Sequence, residues 1–279
     1  MRLGAPGFRA AAPRGRRKRP LFSGRAEGTR SDFKFQISNL RLKKRAFGTA
    51  AKKKIGFAFE DSIIRRRIVL LFAGLVLLAL AATIDERTAR WVHDRDVARV
   101  VRASTWAKIV KAPGDFRFTL GVAAIILAWK LHRWREVVVM LVSGALAGLF
   151  YTLVKWSIGR TRPFPQNKPP IAPFELHPFP KGISGLWAAD NLSFPSGHAS
   201  LAFATAASLG MMFPRGPIVF FSLASLVGLE RVLENAHYPS DVVGAAIFGI
   251  LAAWVAAWIV RRIFPPTAEL TLLRDGDES

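Results

Sequence analysis

The 279-residue chain has no cysteine, which excludes disulfides and thiolate-held metal sites and leaves its redox compartment unmarked. Acidic residues are scarce, 19 against 41 lysines and arginines, and no run of carboxylates suited to Mg²⁺ stands out. A cleavable leader is a poor fit, because the first apolar run begins only at Ile68. An Arg-rich, acid-poor start is shared with organellar transit peptides, but a cytosolic tail explains it more simply.

What the chain does have is apolar residues, 51% of the total, gathered into long, nearly uncharged runs flanked by Arg or Lys. Such runs read as membrane spans rather than as core helices of a soluble protein. Six are drawn: Ile68–Ile84, Phe116–Leu131, Val137–Trp156, His198–Phe213, Ile218–Leu229 and Val242–Ile263. Several are shorter than the roughly 20 residues that cross a bilayer, so their ends are expected to run on into the flanking turns. The fold class is therefore all-α: a polytopic bundle of six transmembrane helices at 63–265, preceded by a disordered basic arm at 1–62 and followed by a short tail at 266–279.

The net charge of +22 is unevenly placed. Residues 1–67 hold 20 Lys or Arg against four acids, a net of +16. Because this arm runs straight into a span, anionic headgroups are its expected partner and nucleic acid is not. Within it, a stretch near Phe33–Leu42 suits an amphipathic helix on a membrane surface. With six spans, the arm, the Lys130–Arg135 turn, Arg215 and Arg261-Arg262 fall on one side, read as cytoplasmic for both termini. The other side receives Asp85–Asp115, Ser157–Gly197 and Glu230–Asp241. The first suits an interfacial amphipathic helix. The second, rich in proline and aromatics, reads as a cap at headgroup level.

Three clusters fall on that opposite side. Lys155 and Arg162 are seven residues apart, near two helical turns, so one helix face can present both, with Pro163 ending the helix. Alone, this is equally a basic interface anchor. Phe194-Pro195-Ser196-Gly197-His198 leads into the fourth span, where free backbone N–H groups and the helix dipole suit an anion and Gly197 admits close approach. An ordinary serine cap is the plainer alternative. Arg231, His237 and Asp241 precede and open the sixth span; a carboxylate four residues after a histidine can hold one ring nitrogen and leave the other to attack. An interfacial salt bridge explains that spacing equally well. Together, cations and two imidazoles at one face describe a site for a tetrahedral oxyanion, whereas a chance set scatters over both faces. Gly144-x-x-x-Gly148 in the third span reads as a helix-packing motif with no part in the site. His93, His132 and His177 read as interfacial or loop residues.

Lys-x6-Arg-Pro, Pro-Ser-Gly-His and Arg-x5-His-x3-Asp jointly resemble the type 2 phosphatidic acid phosphatase (PAP2) superfamily, in its bacterial membrane lipid phosphatase branch, over roughly residues 65–263. The resemblance implies hydrolysis of a lipid phosphate monoester or diphosphate through a phosphohistidine, with no metal or other cofactor. It implies His237 as nucleophile, Asp241 holding its ring, and His198 as acid and then base. Lys155, Arg162, Arg231, Ser196 and Gly197 hold the phosphate, and Arg160 is an auxiliary contact. One departure is Glu230, where the family often has serine before the arginine; it removes a hydroxyl and is free to orient Arg231. Expected substrates are undecaprenyl diphosphate, lipid A phosphate, phosphatidylglycerol phosphate and phosphatidic acid, met at the periplasmic face of a bacterial inner membrane. Two other readings stay open: a membrane scaffold binding anionic lipid, and an enzyme like the vanadate-dependent haloperoxidases, which are soluble.

Overall fold

A computed structural model of the chain describes residues 64–163, 176–180 and 191–265. The arm at 1–62, its surface helix near Phe33–Leu42, most of the proline-rich cap and the tail at 266–279 lie outside them. The helical unit spans Arg65–Ser279. Among the described residues it is built from helices, with two isolated β-bridges (Arg160 to Leu176 and Thr161 to Leu192) in place of a sheet.

The helices, in chain order, are α1 (Ile64–Asp94), α2 (Val97–Ala103), α3 (Thr105–Lys111), α4 (Phe116–Trp129), α5 (Trp134–Ile158), α6 (Gly197–Met212), α7 (Pro217–Leu233) and α8 (Pro239–Ile263). Helices stand at all six expected spans, but three are long and apolar enough to cross a membrane: α1, α8, and α5 with its 3₁₀ lead-in, Leu131–Ile158. With 14, 16 and 17 residues, α4, α6 and α7 reach about 21–26 Å at 1.5 Å per residue, short of a hydrocarbon core of about 30 Å. The first connection also starts later than expected. Asp85 does not open a loop, because α1 runs on to Asp94. Beyond it the amphipathic pattern is split between α2 and α3, with Val100, Trp106 and Ile109 exposed and Val101 and Ala107 buried.

Local chemistry sets the helix ends. Asp115 caps α4 by accepting the Arg117 N–H at 2.8 Å. Pro217 and Pro239 open α7 and α8, where a missing N–H costs nothing. Gly159 closes α5 in the left-handed region (φ 64°), donating its N–H to the Lys155 carbonyl at 2.9 Å. A Cβ at Gly159 would lie 1.8 Å from the His177 carbonyl oxygen, so glycine is needed there twice over.

The core lies where α6 is enclosed by its neighbours. Ala199 through Ser208 are all buried, and Ala199, Ala202, Phe203 and Ala206 pack against Ala224 and Val227 of α7 and Ala245 of α8. Small side chains let the backbones approach: a Cβ on Gly249 of α8 would sit 2.5 Å from the Ser200 carbonyl oxygen. Thr119 to Thr205 (3.0 Å) and Ser143 to Ser208 (2.8 Å) add hydrogen bonds between helices, worth on the order of 0.6 kcal/mol each in a membrane protein. Large apolar side chains on α1, among them Ile68, Leu70, Phe72 and Leu75, point outward. That is the reverse of a water-soluble helix and suits lipid as the surrounding solvent.

The end of α5, the start of α6, the end of α7 and the start of α8 meet at one end of the bundle. Gly249→Val is expected to lower the melting temperature in detergent by several degrees, for about 1–3 kcal/mol of overpacking. Gly121→Ala, whose added Cβ meets nothing within 4 Å, is expected to leave it unchanged or raised. Equal melting temperatures for the two variants would show that α6 and α8 are not packed backbone to backbone.

Candidate active site

A cavity of about 560 Å³ opens at that end of the bundle. Lys155 of α5, Arg162 just beyond it, His198 of α6, Arg231 of α7, and His237 between α7 and α8 form its polar part, with Asp115 at the rim. Phe116, Gly144, Ala145, Gly148 and Leu201 form a second, apolar wall running down between α4, α5 and α6, with Tyr151 between the two parts.

His237 is buried, and its Nδ1 lies 2.9 Å from the Ser193 carbonyl oxygen. A carbonyl only accepts, so Nδ1 carries the hydrogen and Nε2 keeps its lone pair. Asp241 was expected to accept that ring N–H. Its Oδ2 stands 3.6 Å from Nδ1 and instead accepts the Tyr238 backbone N–H at 2.8 Å, closing a capping box at the start of α8. The imidazole is thus held by a backbone carbonyl with a carboxylate behind it. Burial pushes the His237 pKa down to about 4; Asp241 opposes this, and the Lys155 and Arg162 charges reinforce it. At neutral pH the ring is an uncharged base.

The cations arrive by different routes. Arg162 does not share a helix face with Lys155, since α5 has already ended at Gly159 and the chain has turned. It comes back over the cavity as its backbone N–H bonds the Asn191 carbonyl at 3.1 Å, while the Ser193 N–H bonds the Arg160 carbonyl at 2.7 Å. Arg231, in the last turn of α7, is gripped by Glu230, from Nε to Oε2 at 2.7 Å and from Nη2 to Oε1 at 3.0 Å, and is paired with Glu234 as well. Glu230 does orient Arg231, as the departure from the family pattern allowed.

Six of the nine expected site residues line the cavity: Lys155, Arg162, Gly197, His198, Arg231 and His237. Ser196, Asp241 and Arg160 sit behind it. Ser196 is the N-cap of α6, fully buried, with an Oγ that has no hydrogen-bond partner among the described residues. Arg160, expected as an auxiliary phosphate contact, is buried between Asp85 and Asp241, 2.8 Å from each, and lies over the Tyr238 ring at 4.0 Å. Its guanidinium is committed to these partners.

Four residues were missed. Asp85 and Asp115 were read as the limits of a loop, and nothing in local sequence tied them to motifs 40 or more residues away. Lys111 lies near the site, 3.9 Å from Glu234, with its pKa lowered chiefly by burial and then by Arg231. Gly114 stands against His198, where a Cβ would come within 2.8 Å of the histidine Cβ. Gly144 and Gly148, read as a packing motif, form part of the cavity wall.

The described residues form a bundle of apolar helices, as in a membrane protein, with imidazoles and cations converging at one end. Residues 136–265 match the family model of the PAP2 superfamily. The match includes all nine expected site residues and leaves out Asp85, Lys111, Gly114 and Asp115. The chain is similar to a lipid A 1-phosphatase of Rhizobium johnstonii, 36% identical over 116 residues that span 42% of this chain and 44% of that one. It is also similar to a probable diacylglycerol pyrophosphate phosphatase 1 of Schizosaccharomyces pombe, 31% identical over 158 residues, 48% of this chain and 55% of that protein. The matches thus span about half the length of these curated relatives. A transmembrane PAP2-type phosphatidylglycerolphosphate phosphatase of Bacillus subtilis, known from its crystal structure, aligns with a TM-score of 0.48 and 22% identity over 71% of this chain and 97% of that one.

The five histidines allow a direct check of His237. In protein labelled with ¹⁵N-histidine, the signal lost in His237→Gln is expected to stay neutral, with Nδ1 protonated, down to about pH 4. A midpoint near the ordinary value of 6.5 would refute the buried-base assignment. Since the folded pKa lies below the unfolded one, the unfolded chain takes up the proton first. Stability should therefore fall as pH drops from 6.5 toward 4.

Proposed function

We propose that the protein is a metal-independent membrane lipid phosphatase acting through a phosphohistidine on His237. What supports this is one cavity that joins two chemistries. Its polar part presents a neutral imidazole, a second histidine and three cations. Its other wall is apolar and runs toward bilayer depth, where a lipid tail rather than water is the natural occupant.

In this reading Lys155, Arg162 and Arg231 bind the phosphoryl oxygens, helped by the N-terminus of α6 at Ser196–Gly197 and by the unpartnered Ser196 hydroxyl. His237 Nε2 attacks phosphorus in line; the P–N bond forms as the P–O bond to the lipid breaks, and His198, protonated beside the bound phosphate dianion, gives its proton to the leaving oxygen. His198 then takes a proton from water, which attacks phosphorus and frees inorganic phosphate as the P–N bond breaks. Three cations supply the charge neutralisation that a metal provides in other phosphoryl-transfer sites. Asp241 steadies the positive charge that His237 acquires.

The substrate is a lipid phosphate monoester or diphosphate. Two relatives bearing the name lipid A 1-phosphatase make lipid A phosphate the first to try, ahead of undecaprenyl diphosphate, phosphatidylglycerol phosphate and phosphatidic acid. The positive-inside rule supports a bacterial inner membrane, with the basic arm on anionic headgroups at the cytoplasmic face and the site facing the periplasm.

Purified protein in detergent with EDTA is expected to release phosphate from at least one of these lipids, and vanadate to compete. His237→Ala should lower turnover by at least about 10³-fold, as expected on losing a covalent nucleophile. Near-native turnover in that variant would rule out the phosphohistidine. The apolar wall is tested separately by Gly148→Leu, since a Cβ at Gly148 meets nothing within 4 Å and the fold should tolerate it. It should raise KM about tenfold for a long-chain lipid phosphate and leave a short-chain ester unaffected. Equal effects on both would remove the tail from that wall.

A further inference from the structure

Asp85 lies outside the three motifs and outside the matched segment 136–265, yet it is fully buried behind the site. Its Oδ1 accepts the Ser240 backbone N–H at 2.9 Å; its Oδ2 accepts from Arg160 Nη2 at 2.8 Å and from the Ser240 hydroxyl. Arg160 gives Nη1 to Asp241 Oδ1 at 2.8 Å and to Ser240 Oγ at 2.7 Å. Asp241 Oδ2 in turn stands 3.6 Å from His237 Nδ1. Two carboxylates therefore face one guanidinium, which leaves one negative charge in surplus on the Nδ1 side of the imidazole.

That surplus bears on the proposed reaction. The charged and titratable groups facing His237 are Lys155 from α5, Arg162 from the segment after it, His198 from α6, Arg231 from α7 and Asp241 from α8. The cations suit the phosphate but oppose positive charge on the ring, and Asp241 is the acid in that set. Were Arg160 paired with Asp241 alone, the two charges would cancel.

We propose that Asp85 is a positioning residue for His237, acting through Arg160: by sharing the guanidinium it leaves Asp241 enough negative charge to support the imidazolium that forms as Nε2 attacks phosphorus. The inference rests on the phosphatase reading above. It differs from a simple anchoring of α1 to α8, which affects stability rather than the chemical step. It also gives α1, which carries none of the three motifs, a part in catalysis.

The test compares Asp85→Asn, Asp85→Glu and the double variant Asp85→Asn/Arg160→Gln, each checked for folding by melting temperature in detergent. Asp85→Asn removes the charge but keeps the shape, and is expected to lower kcat about tenfold or more with KM nearly unchanged, as for loss of a nearby unit charge in a poorly screened site. The double variant removes both charges, leaves Asp241 unopposed, and is expected to be more active than Asp85→Asn alone. Asp85→Glu is expected to keep most of the turnover. The inference is overturned if the double variant is no more active than Asp85→Asn, if Asp85→Asn keeps full turnover, or if Asn and Glu lose it equally. Should Asp85→Asn not fold, Asp85→Glu decides: retained turnover supports the role, and a loss as deep as that of His237→Ala removes it. No phosphate release by the unsubstituted protein from any lipid phosphate is the separate result that defeats the phosphatase reading itself.

Discussion

The pairing of Arg160 with two carboxylates from opposite ends of the helical unit is the constraint on which the site depends. Asp85 comes from within α1, nine residues before its last residue Asp94, Asp241 from the start of α8, and Arg160 from the turn that follows α5. All three are buried, and a buried charge is tolerated only when its partners are in place. Removing one partner from such a pair typically costs about 3–5 kcal/mol, although the intact pair contributes little net stability. The cluster therefore acts less as a source of stability than as a rule about which helix ends may meet. By fixing the start of α8 it also fixes the approach to His237, four residues before Asp241.

Around that cluster the polar end is organised by backbone contacts as much as by side chains. The Ser196 N–H bonds the Asp241 carbonyl at 3.2 Å, which joins the start of α6 to the start of α8. The Ser193 carbonyl then holds His237 Nδ1, so the loop entering α6 orients a ring that belongs to a different loop. Glu230 and Glu234 confine Arg231 in the same manner. His237 and Arg231 are thus held from behind by partners that do not line the cavity. Such preorganisation removes the need to reorient dipoles during a reaction, which is how charged sites accelerate phosphoryl transfer.

Below the polar end the structure changes character. Ala, Gly and Ser residues on α6 and α8 allow close backbone packing, and the Thr119–Thr205 and Ser143–Ser208 pairs join α4 and α5 to α6. Since lipid offers no hydrophobic drive between helices, shape fit and these few hydrogen bonds carry the association. The glycines at 144 and 148 serve two purposes. Gly144 admits Phe116 and Leu201 into close contact, while Gly148 leaves open space that becomes cavity wall.

Much was legible in the chain itself. Helix positions followed from apolar runs, because a 20-residue stretch without charge has few alternatives in any environment. The cations and imidazoles facing the cavity came from three motifs, because those residue types stand out where they gather at the ends of apolar runs, whereas Asp115 and the apolar wall did not. Tertiary structure alone decided how those residues are supported. Arg160 looked like a phosphate contact, since an arginine in a basic motif reads the same whether it faces a ligand or a buried carboxylate. Asp241 looked like the direct partner of His237, since a spacing of four cannot show that a serine carbonyl from another loop lies closer. Asp85 and Lys111 left no local mark at all. Sequence records what each residue can bond to, and only the packing of α1 and α3 against the motif-bearing helices determines which partner is within reach.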